Sequence, residues 1–259
     1  MSWPELLILL LLGLAAGTLG GLLGIGGSVL MIPVLTLVLY RDQHLSQAAA
    51  MIINAFVALP ATLRHHRAGA VPWDVVRRLL PGALIFIVIG VEVSDQFDGS
   101  ILMRVFGVFL IYVIYVNVQK LLHKGPAPDP DNGRSGWLPV TIVGSITGFA
   151  AGLLGIGGGI ITVPLLQRVA HLPLRRAIAG SATIMCVTAV IGATRKNLTL
   201  DVHGLPVRES LLIAACLAPT ALVGGHLGAC LTHALPLRVV RLVLVILLAV
   251  ASAKFLGLF

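Results

Sequence analysis

The chain has 259 residues, 58% of them apolar and only 11% charged, with a mean hydropathy of +1.01. A soluble domain carries roughly 25% charged residues, because its surface must be covered. Eighteen Lys and Arg, ten Asp and Glu and eight His cannot clothe a 27.1 kDa globule, so a water-soluble protein is excluded and an integral membrane protein is indicated.

Charge-free windows run over residues 6–40, 43–63, 79–91, 105–119, 135–167, 177–194, 210–237 and 242–253. A hydrocarbon core of about 30 Å needs roughly 20 helical residues, fewer where flanking Arg and Lys snorkel. The windows lack the alternation of a barrel strand, so they predict an all-α membrane protein. The first window is too long for a signal-peptide core and shows no small-residue cleavage site, so the N-terminus is expected to stay. A net charge of +8 would suggest nucleic acid in a soluble protein. Here the basic residues sit in short loops, as at Arg64–Arg67, Arg77–Arg78 and Arg175–Arg176, which is the positive-inside pattern. No nucleic acid is expected. Cys186, Cys216 and Cys230 lie in apolar stretches and read as small buried hydrophobes.

An internal repeat organises the chain. GGLLGIGGSVLMIPVL, residues 20–35, returns as AGLLGIGGGIITVPLL, residues 151–166, at an offset of 131. Seven residues (Gly13, Gly17, Gly21, Gly24, Gly26, Gly27 and Pro33) find a Gly or Pro counterpart without a gap. A polar, Pro-rich stretch at 124–136 separates a first membrane repeat, 1–123, from a second, 137–259. Each half opens with an apolar run too long for one span and too short for two. The economical solution is two short helices meeting at the glycines, a broken hairpin, followed by three spans: 44–64, 74–92 and 99–122, then 174–195, 207–231 and 236–256. If the broken segment turns back, each half makes an odd number of crossings and the halves are inverted. That arrangement gathers most of the eighteen Lys and Arg on one side.

Unwound backbone at membrane depth is tolerated only where protein buries it or it lines a wet cavity. The glycines leave amide N–H groups bare at the start of each following half-helix, and Ser28 suits the N-cap there. Two such N-termini would make a site for a small anion. Gly13, Gly17 and Gly21, like Gly144, Gly148 and Gly152, have the GxxxG spacing of close helix packing and are assigned to it. No strand precedes the glycines and no Lys-Ser/Thr follows, so a nucleotide loop is excluded.

The duplicated GLLGIGGSVLMIPVL motif, with Ala48–Ala50 and Ala179–Ser181 on the next helices, resembles the TauE/SafE sulfite exporter family over essentially the whole chain. The resemblance implies a multi-pass protein of the inner (plasma) membrane that exports sulfite, an organosulfonate or another small organic anion. In many members a Thr-Ser pair follows the alanine of the second helix. Here Ala50–Met51 and Gly180–Ser181 stand near that place, so a symmetrical hydroxyl clamp is broken.

Polar residues inside spans are costly and often functional. Asn54, Ser181 and Thr183 sit on the helices after the breaks. Thr18, Asn117, Thr162 and Thr188 are weaker candidates, because a lone hydroxyl can bond its own helix's carbonyl four residues back. The candidate substrate site is therefore Gly24, Gly26, Gly27, Ser28, Asn54, Gly155, Gly157, Gly158, Gly159, Ser181 and Thr183. No Asp or Glu falls mid-span, which disfavours a proton relay and predicts potential-driven anion movement. No nucleophile–base pair, paired carboxylates or metal-ligand spacing appears, so neither catalysis, a metal nor a cofactor is expected. The reading is a secondary transporter of a small sulfur-containing anion, with an anion channel or a permease for another small organic anion as the alternative. Its partners are that anion and the bilayer, and self-association as a homo-oligomer is compatible.

Overall fold

A computed structural model describes residues 3–23, 26–122, 136–231 and 237–258. Gly24 of the candidate site and the Pro-rich linker up to residue 135 lie outside the described residues. The regular elements described are all helical. They are α1 (Trp3–Leu23), α2 (Ser28–Leu37), α3 (Gln43–Arg67), α4 (Trp73–Asp95) and α5 (Gly99–Leu122). Then follow α6 (Trp137–Leu154), α7 (Gly159–Val169), α8 (Leu174–Leu198), a 3-10 turn (Leu200–His203), α9 (Val207–Leu231) and α10 (Leu237–Phe255). Among the described residues, α1, α3, α5, α6, α8 and α9 are long and apolar enough to cross a membrane.

The broken segments differ from expectation in one respect. They are not pairs of short helices: α1 has 21 residues and α6 has 18, whereas α2 has 10 and α7 has 11. The break comes at the end of a full-length helix because the prolines before it, Pro4 and Pro139, stand in the first turns of α1 and α6, where proline is tolerated. Each short helix then doubles back along its predecessor. A β-carbon placed on Gly27 would lie 3.1 Å from the Ala16 carbonyl oxygen, and one on Gly158 would lie 3.2 Å from that of Thr147. These are the same two positions at the 131-residue offset.

Packing exchanges the corresponding elements. α1 lies along α9 and α4 along α6, while α3 crosses α8 at the centre and α5 pairs with α10. Helices in lipid gain little from hydrophobic association, so close backbone approach must hold them. The GxxxG glycines supply it. A β-carbon on Gly17 would stand 2.4 Å from the Ala221 carbonyl oxygen, and on Gly148 2.4 Å from that of Ala83. Gly90 and Gly224 return the contact from the opposite helices, at 2.3 Å from Phe149 O and 2.4 Å from Leu14 O.

The helix ends carry their own ties. Arg41, just past α2, pairs with Glu5 at the start of α1 and Glu209 at the start of α9. At the start of α4, the Arg78 guanidinium lies 5.9 Å from the Trp137 ring centroid. Nearby, the Thr141 hydroxyl donates to the Arg78 carbonyl at 3.0 Å.

Candidate functional site

The two breaks meet around the middle of α3 and α8. Gly26 and Gly157 have φ of +79° and +68°, a left-handed conformation that L side chains resist. Gly155 and Gly158 share it at +73° and +77°, while Gly27 is right-handed at −83°. Each conformation turns the chain sharply enough for α2 and α7 to reverse. The glycines also make room for two side chains from the crossing helices. A β-carbon on Gly26 would lie 3.1 Å from Asn54 Oδ1 and 3.0 Å from Met185 Sδ. On Gly157 the corresponding distances are 2.8 Å to Asn54 Nδ2 and 2.9 Å to Met185 Sδ. Asn54 and Met185 are themselves counterparts at the 131-residue offset. The centre of the molecule is thus a repeated position filled by an amide in one half and a thioether in the other.

Asn54 joins the breaks to each other. Its Oδ1 accepts from the Ser28 backbone N–H at 3.3 Å, and its Nδ2 donates to the Gly155 carbonyl at 3.5 Å. Both bonds are longer than the usual 2.9–3.0 Å, so an anion oxygen could replace the carbonyl as acceptor at small cost. Ser28, Asn54 and Ile156 have 0% exposed surface, so these groups are shut off from water. Ser28 corrects one expectation. Gly27, not Ser28, is the N-cap of α2, no side chain caps it, and the buried Ser28 hydroxyl has no hydrogen-bond partner among the described residues. Such an orphan costs about 1–3 kcal/mol, which a ligand oxygen would recover. Gly159 likewise is the first residue of α7, after the N-cap Gly158.

The other candidates divide. The Ser181 hydroxyl reaches the Gly159 carbonyl at 3.5 Å and so touches the second break. Thr183 does not: its hydroxyl bonds the Ala179 carbonyl one turn back, at 2.9 Å. The Thr18, Thr162 and Thr188 hydroxyls are satisfied in the same local way, and Asn117 Nδ2 donates to the Val113 carbonyl on its own helix. An isolated hydroxyl on a long helix always has that option.

A second buried polar group was not visible in the sequence. His44 at the start of α3, Asp95 at the end of α4, Lys196 near the end of α8 and His203 in the 3-10 turn converge at one end of the bundle. The Lys196 side chain is 1% exposed and bonds Asp95 Oδ1, Ser94 Oγ at 2.9 Å and His44 Nδ1 at 2.9 Å. His44, Asp95 and His203 offer ligand atoms within 4.8 Å of one another. Lys196 Nζ bonds two of these three residues, His44 and Asp95, so a tethered amine already occupies part of their bonding capacity. Asp95 does end its helix, as expected, but its side chain is only 10% exposed.

A family model described as sulfite exporter TauE/SafE matches residues 9–255. A probable membrane transporter protein, MamO, of Paramagnetospirillum magneticum is 26% identical over 98% of this chain. The chain spans only 45% of that relative's length. The probable membrane transporter protein YunE of Bacillus subtilis is 26% identical over 95% of this chain and 96% of its own. One from Methanocaldococcus jannaschii, MJ0441, is 30% identical over 76% of this chain and 74% of its own. No solved structure matches.

Proposed function

The chain belongs to the TauE/SafE sulfite exporter family, and we propose that it is a secondary transporter of a small sulfur-containing anion, sulfite or an organosulfonate, bound where the two glycine breaks meet. The observation that carries this reading is the buried Asn54 amide bridging both breaks beside an unpartnered Ser28 hydroxyl. Gly26, Gly27, Ser28, Asn54, Gly155, Gly157, Gly158, Gly159 and Ser181 line it, and Gly24 precedes Gly26 by two residues in the sequence. Every group is neutral, so the site attracts an anion through oriented N–H dipoles and donors, without a fixed charge that would hold it too tightly to release.

In this reading the halves are inverted and work from opposite faces of the inner membrane. Two sets of contacts support that. Glu5 and Arg41 tie the outer ends of the α1–α2 hairpin at the end of the bundle where α9 starts. Trp137 and Thr141 hold the outer end of α6 to the start of α4. That is the end opposite the His44–Asp95 cluster, where α4 finishes. Each hairpin can then gate one face while the crossing of α3 and α8 stays fixed.

Reconstitution tests the proposal. Proteoliposomes should show saturable counterflow of sulfite, sulfoacetate or thiosulfate, with sulfate and taurine as comparators. Non-saturating flux without counterflow would mark a channel instead, and no flux of any of them would sink the reading. Gly26→Leu and Gly157→Leu should abolish counterflow, because the side chain meets Asn54 and Met185.

A further inference from the structure

The cluster at the end of the bundle is wired to the second glycine break. From Lys196 the chain of bonds runs to Ser94 Oγ, which donates to Gln47 Oε1 at 3.2 Å. Gln47 Nε2 then donates to the Leu153 carbonyl at 3.3 Å, in the last turn of α6. Gln47 also packs on the break itself: a β-carbon on Gly155 would lie 2.9 Å from Gln47 Cβ and Cγ. Gly155 O is the acceptor of Asn54. Lys196, Ser94, Gln47 and Asn54 are buried, and Leu153, two residues before Gly155, is half-buried.

The bonding also fixes the state of His44. Its Nε2 lies 3.0 Å from the Phe97 carbonyl, which can only accept, so Nε2 carries the hydrogen. Its Nδ1 faces the Lys196 ammonium, which can only donate, so Nδ1 offers a lone pair. The imidazole is neutral, and it cannot take a proton while Lys196 keeps this bond. His203 stacks on it with ring centroids 3.7 Å apart, and its side chain is 19% exposed, giving the cluster a route to water. The charged and titratable groups that face the imidazole are Lys196 from α8, Asp95 from α4, His203 from the 3-10 turn, and Asp42, whose carboxylate caps α3 by accepting from His44 N–H. Asp95 Oδ2 has no hydrogen-bond partner among the described residues, so a carboxylate oxygen is free to receive a displaced donor.

We propose that the His44–Asp95–Lys196–His203 cluster is a proton-binding site linked to anion binding at the glycine breaks. A proton from the aqueous face adds to His44 Nδ1 and leaves an imidazolium. Its N–H now opposes the Lys196 ammonium, which gives up His44, shifts from Asp95 Oδ1 toward Asp95 Oδ2 and loosens Ser94. Gln47 follows, and with it the end of α6 that positions Gly155 for Asn54. The added positive charge favours an anion at the break, so anion and proton bind together. Linkage is reciprocal: the anion must raise proton affinity by the factor that the proton raises anion affinity. The inference rests on the transport reading and adds its regulation.

Sulfoacetate and thiosulfate keep their charge near neutral pH, so they isolate the protein's own protons. Purified protein in detergent is titrated with each by calorimetry, in two buffers of different ionisation heat. The wild type should take up protons on binding, seen as a heat that depends on the buffer, and should bind more weakly as pH rises. His44→Gln, and the charge-balanced pair Asp95→Asn with Lys196→Gln, should still bind the anion with a heat that no longer depends on the buffer. A buffer-independent heat in the wild type overturns the linkage even if no variant folds. Buffer dependence that persists unchanged in the variants overturns it too, as does binding lost in folded variants. Absence of binding by either anion, together with absence of sulfite counterflow by the reconstituted wild type, overturns the transport reading and not the wiring alone.

Discussion

Asn54 is where the chemistry of the proposed site concentrates, because a mid-helix amide cannot satisfy both its donors and its acceptor on its own helix. Here it spans two breaks that belong to different parts of the chain. Asn54→Leu keeps the branched shape and removes the bonds, so counterflow should fall by about tenfold or more, equivalent to ~1.4 kcal/mol. Because Met185 occupies the repeated position, exchanging the pair, Asn54→Met with Met185→Asn, should restore part of what Asn54→Met alone removes. Failure of that rescue would show that the two positions are not interchangeable. The glycines permit a sharper comparison. Gly157→Ala and Gly69→Ala both force alanine into a left-handed backbone, which costs about 1–2 kcal/mol. Only at Gly157 does the new carbon also strike a neighbour, Asn54 Nδ2 at 2.8 Å; at Gly69 nothing lies within 4 Å. Thermal unfolding in detergent should therefore show a clearly larger loss for Gly157→Ala.

At the scale of the helix, the same residue type does two unrelated jobs. Glycines in the breaks open the backbone, whereas those spaced by four bring α1 onto α9 and α6 onto α4. Gly17→Leu and Gly148→Leu should each destabilise the fold by about 1–3 kcal/mol through overpacking against Ala221 and Ala83, read as a lower unfolding midpoint in detergent. The repeat made these roles readable from the residues alone: consecutive glycines predicted the breaks, and regular spacing predicted the packing. Asn54 stood out on a different ground, since an amide inside a span cannot satisfy all its hydrogen-bonding groups on its own helix. Met185 was not, because a thioether inside a span looks like ordinary core. Nor was the cluster, whose members stand at 44, 95, 196 and 203 with no motif spacing. Each resembles a residue that merely ends a span. Only the meeting of three helix ends turns them toward one another, and that meeting is set by the crossing of α3 and α8. The length of α1 and α6 escaped for a simpler cause, as composition places the glycines but not the depth at which the chain turns.

On the scale of the whole molecule, the proposed inversion of the halves has a direct readout. In a background with Cys186, Cys216 and Cys230 replaced by Ser, Ala68→Cys and Val202→Cys sit on exposed turns at opposite ends of the bundle. A membrane-impermeant thiol reagent should label one from each side of sealed vesicles; labelling of both from one side would sink the inverted arrangement. A further consequence lies in the mismatch at the centre. Two identical halves would make the state open to one face and the state open to the other equal in free energy, a molecule balanced like a level beam. This beam is weighted. Asn54 faces Met185, and the positions matching His44, Asp95, Lys196 and His203 are Arg175, His226, His65 and Pro72, a set that cannot rebuild the same network. The degeneracy is lifted at the site and again at one end. A difference of ~1.4 kcal/mol between the two states already gives a tenfold preference for one of them. In the proposed transport cycle, resting orientation, and with it the face from which a dilute anion is first met, is thereby written into the places where the second half does not copy the first.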